Sequence, residues 1–332
     1  MMDADLPGTA SLDDLLESAQ PNPLLRRVDG LCDRRAWDEL VELAVRCREA
    51  YERGKQLWPI AEHIDYRVAL EAPARYAAAV LTPAAGRFAF GPLTEVAAST
   101  HSFDELVAWA PSPQVAGVLA AERVLRGEEL TGRPEAHAEV LELALRLEAW
   151  EPVYPLATYK AHEMQAPAPA LRPLELHWEP TAGEPLDEPE VLRALLELVS
   201  PWVSGSSGRA EASVVEGSAP AAVGALGVAS VAAGEIEVSE ALALMGWAAA
   251  SGGAYGRRRG AAAGRSAAWW SAAVLCDLDW PVHPDVLGAE LARLRWYRWE
   301  PPDLTGGWNL HLAVEDPEQG WAAAIRAEDR AG

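Results

Sequence analysis

Cysteine is scarce: the 332-residue chain has only Cys32, Cys47 and Cys276. An odd number without paired spacing argues against a disulfide framework. Cys32 and Cys47 have no neighbouring histidine or second cysteine pair of the kind zinc requires. A reducing, cytoplasmic setting is the expectation. Positive charge is also in short supply, with 28 Lys and Arg against 50 Asp and Glu. That balance argues against a general nucleic-acid binder, which needs a basic face. Long apolar runs are missing too. The pieces between Ala241 and Cys276 are broken by Arg257, Arg258, Arg259 and Arg265, and are shorter than the roughly 18–20 residues of a spanning helix. The first residues, MMDADLPGTASLDD, are acidic and have no apolar core of a secretory leader.

Catalytic signatures are equally thin. The chain contains no G-x-x-x-x-G-K-[ST], no G-x-G-x-x-G after a strand and no G-x-S-x-G, so neither a nucleotide fingerprint nor a nucleophile elbow is indicated. No cofactor or metal is expected, and nothing decides whether the protein is an enzyme.

What is present is a globular composition, half hydrophobic and about a quarter charged. The first half reads as short helices. Ser11–Asp14 resembles a helix start before Leu15 and Leu16. Trp37, Leu40, Val41, Ala44, Cys47 and Tyr51 keep helical spacing, and Ser102 with Glu105 forms a capping box ahead of Phe103. These short rods suggest a HEAT-like stack or an irregular bundle over residues 1–149. Residues 150–180 are rich in proline and read as an extended connector. Residues 181–332 read as an α+β domain with a small, mainly antiparallel sheet, joined by a strand at 172–179. Leu174, Leu176 and Trp178 alternate with polar residues there, and Arg209–Glu216, Arg295–Trp299 and Trp308–Glu315 look like further strands. Asp316-Pro317 looks like a helix opening, with Trp321–Ala327 as the helix.

The conspicuous stretch is GAYGRRRGAAAGRSAAWW. It places four arginines within nine residues, inside a span from Ala241 to Cys276 with no acid at all. Gly252, Gly256, Gly260 and Gly264 recur every fourth residue, which predicts one side-chain-poor stripe for close helix packing. Each glycine costs about 1 kcal/mol relative to alanine in a helix, so the stripe calls for a packing reason. For Arg257, Arg258, Arg259 and Arg265 three uses compete: pairing with the surplus acids, a pocket for a phosphate or carboxylate, or a docking point for an acidic partner. A weaker candidate is AEHIDYR, where Glu62, His63, Asp65 and Arg67 share helical spacing but lack metal-ligand spacing. Of the fourteen tryptophans, eight follow residue 246; burial in a core is the favoured use.

The stretches GRRRGAAAGRSAAWW, LRWYRWE, GWNLHLAVEDPEQGWA, WEPVYPLATYKAHE and LWPIAEHIDY together resemble an uncharacterised bacterial protein family over most of the chain. The resemblance implies that the two halves form one product; it implies no activity and no catalytic residues. The expectation is an interaction or scaffold protein of the cytoplasm whose partner is another protein. The alternative is an enzyme or binding protein for an anionic small molecule held by the Arg257–Arg265 segment.

Overall fold

The computed structural model describes residues 12–52, 54–82, 89–304 and 306–331; Ser11, the first residue of the earliest helix signal, lies outside them. The periodic runs of the first half become α1 (Leu12–Ser18), α2 (Pro21–Asp33), α3 (Trp37–Glu52), α4 (Trp58–Glu71), α5 (Ala74–Ala79), α6 (Leu93–Ala98) and α7 (Phe103–Val107). Pro21 and Pro59 lie in first turns, where a missing N–H leaves no bond unmade. The Ser102 hydroxyl accepts from the Glu105 N–H and the Glu105 carboxylate accepts from the Ser102 N–H. Leu24, Leu31, Leu40, Leu43, Ile64 and Val68 close the core of α2–α4.

The chain forms two compact units. The first holds these helices and a short return segment, Tyr159–Glu163. Buried Tyr159 donates its hydroxyl to Glu95 at 2.8 Å, and Tyr66 donates to the Lys160 carbonyl at 2.5 Å. Gly91 makes room for the plug: a Cβ there would sit 2.1 Å from the Tyr159 hydroxyl oxygen.

The second unit takes Gly117–Thr158 and the chain from Met164 onward. The chain enters the second unit within α8 (Pro113–Val124) and passes through two short 3-10 turns before the return segment, whose ends carry β1 (Thr158–Lys160) and β2 (Glu163–Gln165), a two-stranded sheet. There follow β3 (Leu176–Trp178), β4 (Glu184–Pro185), α9 (Pro189–Glu197), α10 (Ser200–Gly205), β5 (Arg209–Glu216), α11 (Ala219–Ala225), β6 (Val231–Ile236), α12 (Val238–Ala250), α13 (Ala261–Leu275), α14 (Pro284–Leu291), β7 (Arg295–Glu300), β8 (Trp308–Asp316) and β9 (Trp321–Asp329). The fold is α+β.

The main sheet has seven strands in the order β3-β6-β7-β8-β9-β5-β4, every neighbour antiparallel. The alternation along β8 divides its two faces. Leu310, Leu312 and Val314 pack with α12, α13 and α14 residues in one core, which also holds Trp296 and Trp269. Ala313 faces the other way with Tyr297, Trp299 and the α11 residues Ala222 and Val223.

Two expectations are corrected. Trp321–Ala327 is not a helix but part of β9, paired residue by residue with both β5 and β8. Asp316 serves a turn: its carboxylate accepts from the Glu318 and Gln319 N–H groups, and Gly320 takes φ 74° to complete the reversal. Alanine's helix preference is worth only tenths of a kcal/mol per residue. A central strand gains far more, because its small side chains let two cores close on both faces. The second correction concerns the glycine stripe and belongs with the arginines. Among the described residues no helix is long and apolar enough to cross a membrane.

Candidate functional site

α12 ends at Ala250 and α13 begins at Ala261, so Gly252, Gly256 and Gly260 lie on a loop and not on a helix. The four-residue recurrence still reports close approach, but of a different kind. A Cβ on Gly252 would meet the Arg257 nitrogen at 2.3 Å, and one on Gly256 would meet the Gly252 carbonyl oxygen at 2.1 Å. These glycines let the loop fold tightly on itself. Gly260 adopts φ 100° just before α13, a conformation that favours glycine. Only Gly264 packs helix on helix. Its Cβ would fall 2.3 Å from the carbonyl oxygen of Gly246 on α12. Gly246 went unremarked in the sequence, because its partner is identified only once α12 folds back on α13.

The loop is fastened through its backbone. Gly253 N–H donates to Ser251 Oγ at 3.2 Å, Ala254 N–H to Asp329 at 2.7 Å, Tyr255 N–H to Ser206 Oγ at 3.0 Å and Arg259 N–H to the Ala250 carbonyl at 2.7 Å. Arg257 and Arg259 are exposed and Arg258 is half-buried. Asp329, which anchors Ala254, also lines a groove of about 480 Å³ at this corner of the sheet. Arg209, Arg326 and Arg330 line it as well, with Glu211 and Glu328. Glu328 pairs with Arg326 at 2.9 Å and with Arg330 at 3.9 Å. Its Oε1 lies 3.4 Å from Nε2 of buried His311, which stacks on Trp299 at 4.7 Å. Burial is the main cause that lowers the His311 pKa, to about 4, so the ring is neutral at pH 7. Sequence reasoning missed this group. Its signal was the alternation of Arg209/Glu211 and Arg326/Glu328 on two strands, one of which was read as a helix.

Arg265 is separated from its three companions. Its side chain is fully buried and forms a bidentate pair with Glu151, Nε–Oε2 2.7 Å and Nη2–Oε1 2.6 Å. The remaining guanidinium bonds go to the carbonyls of Ala144 at 2.9 Å and Arg146 at 2.8 Å. Glu151 also accepts from Trp269 Nε1 at 2.8 Å and from the Tyr154 hydroxyl at 2.9 Å. No ligand can reach a cation so enclosed. Arg265 is thus corrected from a binding candidate to a structural clamp on the 141–158 segment.

The AEHIDYR residues also scatter. Asp65 is buried and paired with Arg48. Arg67 is buried between Asp29 at 2.5 Å and Glu71 at 2.6 Å. Glu62 is half-buried. His63 stacks on His162 with ring centres 5.9 Å apart, and its pKa is lowered, mainly by burial and then by the Arg67 charge. Among the described residues no group of three or more His, Cys, Asp or Glu is placed to hold a metal ion. Burial pushes the Cys32 and Cys47 thiols up to about 11, away from the thiolate form that a nucleophile needs.

No curated protein matches this chain, and no solved structure does. A family does: residues 22–331, which include the arginine loop, the groove and the Arg265–Glu151 clamp, match the family of unknown function DUF6183, and the chain belongs to it.

Proposed function

We propose that the protein acts by binding, as an interaction protein of the cytoplasm whose α+β unit holds an acidic segment of a partner protein against Arg257, Arg258 and Arg259. The observation that carries this reading is the tethered loop. Four hydrogen bonds donated by its main-chain N–H groups hold it, so the backbone that carries the three arginines needs little ordering on binding. Arg forks suit carboxylates, and a preorganised main chain saves part of the entropy of association. The surrounding chain carries a net charge of -22, so a local basic corner also orients an incoming acidic segment.

The groove at the same corner favours a second reading, a small phosphate- or carboxylate-bearing ligand. Its volume of about 480 Å³ falls within the usual range for such ligands, and Arg209, Arg326 and Arg330 line it.

Biolayer interferometry with an acidic Glu/Asp decapeptide as the probe tests both. Simultaneous Arg257→Ala, Arg258→Ala and Arg259→Ala weakens binding about tenfold or more and flattens its salt dependence. Affinity that does not change in the triple variant overturns the first reading. Competition by inorganic pyrophosphate that persists in the triple variant favours the second.

A further inference from the structure

For most of its length β5 is an edge strand. Its inner side pairs with β9 from Arg209↔Glu328 to Glu216↔Trp321. Its outer side is covered only at the C-terminal end. There β4 pairs Glu184↔Glu216 and Pro185↔Val215, and the Leu186 N–H donates to the Val214 carbonyl at 3.0 Å. Backbone groups of an antiparallel strand point alternately to its two sides. Since Val214 points outward, so do the N–H and C=O of Ala212 and Ala210, while Arg209, Glu211 and Ser213 turn theirs toward β9. Among the described residues no backbone hydrogen bond reaches Ala210 or Ala212 from outside. Such an edge is a template for another strand.

We propose that a second copy of this chain takes that position, the two β5 strands running antiparallel about a two-fold axis at Ala210. Charge selects the register. Outward-facing residues must pair with one another, so within the open part the axis falls at Ala210 or at Glu211. An axis at Glu211 sets two like carboxylates face to face. An axis at Ala210 sets Arg209 of each copy across from the partner's Glu211, twice per interface. Directly opposed unlike charges stabilise an antiparallel pair and like charges weaken it.

Both side chains are available for this. Arg209 and Glu211 are exposed and point to the same face. Their own cross-strand neighbours are occupied elsewhere, since Glu328 pairs with Arg326 at 2.9 Å and Arg330 at 3.9 Å. Apolar surface stands nearby: Val203 on α10 is 51% exposed, and Tyr255, whose N–H is tied to Ser206, is 60% exposed. The resulting contact is isologous, as a closed dimer requires. The net charge of -22 per chain opposes association at long range, but is screened beyond about 8 Å at physiological ionic strength.

Sedimentation equilibrium of the full chain, from about 1 to about 200 μM, tests the proposal. The expected mass rises with concentration toward twice the 35.7 kDa of the chain. Arg209→Glu and Glu211→Arg each raise the dimer Kd about tenfold, because each turns two favourable pairs into two repulsive ones. The double charge swap restores the complement and returns the Kd toward wild type. Ala210→Pro removes an outward N–H while leaving the β9 ladder its bonds, and abolishes the dimer. Circular dichroism confirms that each variant keeps the fold. A mass of 35.7 kDa at every concentration overturns the proposal. So does a dimer that ignores both single charge reversals, or a double swap no better than either single. The triple Arg257–Arg259 substitution touches none of these residues, and the charge reversals at Arg209 and Glu211 leave Arg257–Arg259 in place, so the dimer and the acidic-segment reading fail separately.

Discussion

Glu151 and Arg265 are 114 positions apart in sequence and meet with no exposed surface on either side chain. A buried ion pair gains little over an apolar pair, but breaking one half is costly, since the other charge stays behind without compensation. Here the carboxylate also serves Trp269 and Tyr154. Glu151→Gln is therefore expected to lower the unfolding free energy by about 3–5 kcal/mol. Tyr154→Phe, which removes one neutral donor from a charged acceptor, costs about 1.5–3 kcal/mol. Urea titrations of both variants check the order, and a Glu151→Gln cost no greater than that of Tyr154→Phe sinks the clamp. The sequence showed Arg265 as a cation in an acid-free stretch. It could not show the partner, because Glu151 lies in the connector and one carboxylate among many carries no mark of burial.

Between α12 and α13 the decisive atoms are missing ones. Gly246 and Gly264 bring the two helices so close that a methyl on Gly264 would lie 2.3 Å from the Gly246 carbonyl oxygen and 2.8 Å from the Ala250 Cβ. Gly264→Ala should cost about 1–3 kcal/mol through overpacking, even though alanine favours helix more than glycine does. Gly306→Ala, with nothing within 4 Å of the added carbon, should stay within about 0.5 kcal/mol. Thermal unfolding of the two variants separates the effects, and equal midpoints refute the close approach. The spacing of Gly252, Gly256, Gly260 and Gly264 announced tight packing correctly in kind and misplaced it in form. Three of the four serve a loop and its exit, where the chain turns back instead of continuing as a helix. β9 shows the same limit. Its alanines suit a helix in isolation, and only the β5 and β8 ladders on either side make it a strand.

For the whole molecule, stability against pH is the readable property. His311 and His63 both have pKa values lowered by burial. The unfolded chain therefore binds protons there more readily than the folded one. Their contribution is complete above pH 6.5, the unperturbed value, and is lost as pH falls toward about 4 in the case of His311. Asp65 acts in the opposite sense, since burial raises its carboxyl and protonation favours the fold. His311 alone should cost on the order of 1–2 kcal/mol between pH 7 and pH 5. His311→Phe, which keeps a ring on Trp299 but cannot titrate, should flatten the stability profile over that interval. An unchanged slope in chemical denaturation at the two pH values would count against a buried neutral imidazole.

Local chemistry alone determined the helical character of the first half, the cap at Ser102, the α+β character of the second half and the family. Periodicity, proline position and composition act over a few residues and are written in order along the chain. Only the tertiary structure decided that Trp321–Asp329 is a central strand, that Arg265 is sealed while Arg257 and Arg259 stay exposed, and that Arg209, Arg326 and His311 share one corner. These outcomes depend on which distant segments bury each other, and the free energy of that burial outweighs the local preferences from which a sequence is read.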